Sequence, residues 1–154
     1  MPFRLFAAFA LIAASSAPAQ VAAPVATYAH ATPIAGNWAW RAASGGSEAV
    51  FTNSAGQAQL TIRCMRATRR VSIARTAAGA APFLFVWTSS TTRNLPASFQ
   101  PASRQLVADL AATDPLLDAI AFSRGRLAFS ASGAPALVLP ASPEIDRVVE
   151  DCRS

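Results

Sequence analysis

Cys64 and Cys152 are the residues of this chain with the most definite chemistry. A metal centre would need His or carboxylate partners at ligand spacing from them, and none stands there, so no metal ligands are assigned. A CxxC redox motif is missing as well. The remaining chemistry is a single disulfide between the middle of the chain and its end, with two buried free thiols as the alternative. Closing a loop of that length is worth ~4–5 kcal/mol in the chain-entropy model.

Catalytic groups are sparse. Ser-His-Asp chemistry requires a histidine within hydrogen-bond reach of the nucleophile. The single histidine, His30, lies in an Ala- and Pro-rich stretch near the start of the chain. All 13 basic residues are arginine, which removes Schiff-base and Ser–Lys arrangements. Asp109, Asp114 and Asp118 could supply a carboxylate pair, but Asp109 and Asp118 read as solvated helix positions and Asp114 as a helix cap. Gly45-Gly46 lacks the rest of any phosphate-binding loop. The chain is expected to be no enzyme and to hold no cofactor; the alternative is a small periplasmic hydrolase using Asp or Glu with Ser.

The arginines carry the other signal. Arg63, Arg66, Arg69, Arg70 and Arg75 fall within one short stretch without an acid, whereas seven of the eight acids stand at Asp109 or later. The stretch reads as the exposed side and turn of a hairpin, some of its arginines pairing with acidic helices. Its functional reading is an anion-binding face. If there is a binding surface, these residues are the first candidates, and Arg124 and Arg126 in the link Ser123-Arg124-Gly125-Arg126 are the second. Aromatic residues are not interleaved as single-strand binding would want, so nucleic acid is not the expected partner.

Elements that would position these groups can be read from the pattern. Residues 1–19 resemble an export signal: Arg4, an apolar run from Leu5 to Ala14, and Ala17-Pro18-Ala19 before Gln20 as the cleavage site. The run is shorter than the ~20 residues that cross a bilayer. Such a signal implies the periplasm or the medium, where a disulfide persists. Residues 20–35 read as a flexible lead-in, and 36–154 as a single domain.

Within that domain, Leu60, Ile62 and Cys64 alternate with polar residues as in a half-buried strand. Trp38 and Trp40, Ser47–Thr52, Val71–Arg75 and Phe83–Trp87 read as further strands, the last apolar on both faces and central. Ser103–Ala112 reads as a helix with a stripe of Leu106, Val107 and Leu110. Asp114-Pro115 starts another, running to about Phe122. Leu127–Ser130 and Ala136–Leu139 form a hairpin. Ser142-Pro143-Glu144 opens a closing helix, with Ile145, Val148, Val149 and Cys152 along one face. The expected class is α+β: a mostly antiparallel sheet, two short helices before a β-hairpin, and a C-terminal helix tethered by the disulfide. A β-sandwich is the alternative.

The signal, Trp38, the strand Leu60-Thr61-Ile62-Arg63-Cys64, the helix–hairpin section and a cysteine in the closing helix resemble small exported bacterial proteins of the invasion-associated locus B type and a periplasmic family linked to type VI secretion. The stretch from Asp114 to Arg126, with Glu150-Asp151-Cys152-Arg153, resembles exported proteins of alphaproteobacteria. The resemblance implies a β-rich, disulfide-tied domain with an interaction role and carries over no catalytic residue. The expected function is a non-enzymatic binding protein of the cell envelope, whose partner is an envelope protein or an anionic envelope component.

Overall fold

The computed structural model describes residues 26–154, with side chains from Tyr28 onward. The export signal therefore lies outside the described residues, as does the start of the lead-in. No helix among the described residues is long and apolar enough to cross a membrane.

The fold is mostly antiparallel β-sheet with few short helices. The chain begins with α1 (Ala26–His30) and runs through β1 (Gly36–Ala43), β2 (Gly46–Asn53), β3 (Ala58–Met65) and β4 (Arg70–Thr76). It then crosses to a second sheet for β5 (Phe83–Trp87) and β6 (Thr92–Pro96), and returns for β7 (Ser98–Gln100) and β8 (Gln105–Ala111). After α2 (Pro115–Ala121) it builds β9 (Arg126–Ala131) and β10 (Ala134–Pro140), and closes with α3 (Pro143–Arg153). The six-stranded sheet has the order β1-β2-β3-β4-β8-β7; the four-stranded sheet has β10-β9-β5-β6.

One face of the six-stranded sheet is apolar because the pleat alternates side chains. Cross-strand register aligns Cys64 with Val71 and Val71 with Leu110, and Ile62 with Ile73 and Ala49. All of these are buried and share one core with Leu84 and Val86 of β5, Leu127 and Phe129 of β9, and the apolar side of α3. That side is the predicted stripe: Ile145, Val148, Val149 and Cys152 are at most 1% exposed. Burying each aliphatic side chain there is worth ~1.5–3 kcal/mol. The Cys64–Cys152 disulfide fastens the end of α3 to β3. At the other end of α3, Pro143 occupies the first turn as expected, while the Ser142 hydroxyl bonds Glu144 instead of capping a backbone N–H.

Two expectations are corrected. Residues 105–111 are strand β8, not a helix, and Asp109 with them. Leu106, Val107 and Leu110 suit a helical stripe, but Leu106, Ala108 and Leu110 also fit the strand period. Pairing with β4 along its whole length decides the outcome. Of the two helices expected directly before the β9–β10 hairpin, only α2 forms. Nor does the described part of the lead-in hang free. Tyr28 is 4% exposed and packs on Phe85 and Trp87, on the outer side of β5. The Ile34 N–H donates to the Val138 carbonyl at 2.9 Å. Aromatic burial outweighs the Ala/Pro composition that suggested looseness.

Candidate functional site

The turn between β3 and β4 gathers most of the predicted arginines. Arg66–Thr68 form one 3-10 turn, and Arg69 closes it in the left-handed conformation, at φ 49°. A non-glycine residue adopts that backbone at a cost. It is braced there: the Arg69 N–H donates to the Arg66 carbonyl, and its own carbonyl accepts from the Ala112 N–H. The Arg66 N–H donates to the Gly45 carbonyl in the neighbouring β1–β2 turn.

The side chains are held in an unexpected way. Arg66 Nε donates to the Asp151 carbonyl at 3.2 Å, and Arg69 Nη2 to the Arg153 carbonyl at 2.8 Å. Both carbonyls belong to the last turn of α3, where helical carbonyls lack internal partners and the dipole favours a cation. Arg70 Nη2 donates to the Asp109 carbonyl at 3.1 Å, and Arg63 Nη2 to the Ser44 carbonyl at 2.9 Å. Arg66 and Arg69 thus meet an acidic helix through its backbone, Arg70 and Arg63 meet strand and turn backbone, and the expected pairing with acidic side chains is not made. The exception is a loose approach of Arg63 to Glu48 at 3.8 Å. Nearby carboxylates are engaged elsewhere. Asp118 and Glu150 pair with Arg153 at 2.8 and 3.3 Å, and the Asp118 hydrogen bond raises the Arg153 pKa. Asp151 accepts from Ser47 Oγ at 2.6 Å and Trp40 Nε1 at 3.2 Å.

The other predicted residues do not join this cluster. Arg75 is 6% exposed, so it is not part of any surface. It faces inward beside Leu60 and Leu106 and donates to the carbonyls of Phe129 and Pro135, linking the two sheets. Burial lowers its pKa, and the two carbonyls supply the polar contact that a buried guanidinium needs. Arg126 pairs across strands with Pro140, near the opposite end of α3, and donates to the Ala31 carbonyl at 2.7 Å. Arg124 is exposed, and its backbone N–H donates to Ser89 Oγ.

Sequence reasoning missed a second feature. Arg147 lies over the Trp40 ring, 3.5 Å from its centroid. With Pro143 and Glu144 the pair lines an open groove of about 370 Å³ beside edge strand β1. The sequence shows only that Arg147 precedes Asp151 by one helical turn; that Asp151 anchors the same indole is seen in the structure alone. Arg147 covers a face of Trp40 that a ligand ring could otherwise have stacked on. Ser47 and Asp151 form a serine–carboxylate contact, but Ser47 is buried, at 1% exposed. Among the described residues no three His, Cys, Asp or Glu side chains converge as metal ligands would.

No family model, no curated protein and no solved structure matches the chain.

Proposed function

We propose that this is an exported binding protein of the bacterial cell envelope, performing no chemistry of its own, that engages an anionic envelope component through Arg66, Arg69 and Arg70. One observation carries the reading: these three guanidinium groups are oriented by backbone carbonyls, so their positions are set while their charges stay uncancelled. Each guanidinium has five N–H donors, and each of these spends one on the fold. Pre-ordering of this kind lowers the entropy cost of meeting a partner. The export reading rests on residues 1–19 and on the disulfide, which suits an oxidising compartment. Because α3 supplies part of the cover on the six-stranded sheet, we read the class as α+β rather than a pure sandwich.

The test is binding of the mature protein to a fluorescent heparin fragment, followed by anisotropy. Wild type is expected to bind with affinity that falls as salt rises. The variant Arg66→Ala/Arg69→Ala/Arg70→Ala should lose about tenfold or more. Arg66 and Arg69 also hold α3, so Arg70→Ser is the control. Its side chain bonds β8 and not α3, and it should lose part of the affinity with no change in melting temperature. Equal binding by all three proteins would sink the assignment.

A further inference from the structure

We infer that the anionic component met by the arginine turn is the phosphate layer of a lipid bilayer; this rests on the function proposed above. The distinguishing residue is Met65. It pairs directly across the strands with Arg70, on the outward face of the sheet, and is 36% exposed. An exposed thioether beside the Arg70 guanidinium, in a turn that carries two more, adds nothing to a contact with a soluble polyanion. At a bilayer the same arrangement has a use. Arginine heads stay at the level of the phosphates while an unbranched apolar side chain enters the headgroup–acyl boundary.

The geometry suits an approach by the end of the molecule. Met65 to Arg70 form the tip where β3 and β4 turn, and all six residues are exposed. The β1–β2 turn, the last turn of α3 and Ala112 brace this tip from behind. The acids around it are Asp118, Glu150 and Asp151, turned to Arg153, Ser47 and Trp40. Glu48 is bound to Arg41 at 2.5 Å. Asp109, opposite Ser72 on the same outward face, lies two pairs further from the tip than Arg70. The tip itself thus presents positive charge and one large apolar side chain.

Co-sedimentation of the mature protein with two kinds of vesicle tests this. One is phosphatidylcholine alone; the other is phosphatidylcholine and phosphatidylglycerol in equal parts. Partition to the anionic vesicles alone is expected, weakening about fivefold for each arginine of the tip replaced by alanine. Raising salt on the wild-type protein should reproduce that loss without any change to the fold. Met65→Ser should weaken vesicle binding about fivefold and leave heparin binding unchanged. Heparin binding without vesicle binding overturns the lipid assignment and leaves the arginine surface standing. Binding to neither overturns the surface itself. Vesicle binding indifferent to Met65→Ser also overturns the inference, since charge alone does not distinguish a bilayer from another polyanion.

Discussion

Asp114 accepts from the Leu116 N–H at 2.9 Å and from both terminal nitrogens of Arg93, at 2.9 and 2.7 Å. It is at once the cap of α2 and one half of a two-pronged ion pair with β6. The Arg93 hydrogen bond holds its pKa below the usual 3.8. A carboxylate depressed in this way stabilises the fold fully above its unfolded pKa and stops doing so as pH falls through the folded value. Asp114→Ala is therefore expected to cost roughly 1–3 kcal/mol at neutral pH. The gap to wild type should narrow as pH falls through and below the usual carboxylate range, as read by urea unfolding at neutral and at acid pH. A gap independent of pH would mean that the ion pair contributes nothing. Arg75 predicts a different pattern. Arg75→Ala strands the Phe129 and Pro135 carbonyls and opens space between the sheets, for a loss of roughly 2–5 kcal/mol. Arg75→Met fills the volume and removes the buried charge, and should lose less. Urea midpoints that rank Met below Ala would contradict this account.

At the scale of elements, the close approach of β2 to β3 is set by Gly46. A Cβ at that position would overlap the Cys64 carbonyl of β3. Gly46→Ala should force the two strands apart beside the disulfide, at a cost of roughly 1–3 kcal/mol. Gly45 has φ +77° but open space around it, so Gly45→Ala strains only the turn and should cost about 1 kcal/mol. Thermal unfolding of the two variants separates collision from backbone strain. The same strands show what could be read from sequence. Leu60, Ile62 and Cys64 alternate cleanly and α3 keeps its spacing, because each has one buried face. β8 was misread because Leu and Ala serve both periods, and only its partner β4 selects one. Nothing in Thr92–Pro96 or Ser98–Gln100 alternates strongly, so β6 and β7 were invisible. The arginine cluster was legible as a run without acids. Its anchoring on α3 carbonyls was not, since that depends on where a helix more than eighty positions away comes to rest.

For the molecule as a whole, that resting place depends on the disulfide, which joins positions 88 apart in sequence. Cys64 and Cys152 are 0% and 1% exposed. Replacing both with alanine is expected to cost roughly 2–5 kcal/mol, measured by urea unfolding. Because both sulfurs are buried, reductant should reach them only through opening of the fold. Loss of the bond in dithiothreitol should then follow the unfolding rate and accelerate sharply in mild denaturant. Reduction at the rate of an exposed model disulfide would show that α3 detaches on its own.

From Cys64 to Cys152 the backbone is a closed ring, bearing β4 to β10, both later helices and the arginine tip. A protease that cuts once anywhere inside it produces two polypeptides that are still one molecule. The severed protein would keep its mass, plus one water, until a thiol released the pieces. A first nick would thus leave the arginine tip tied to the helix that orients it.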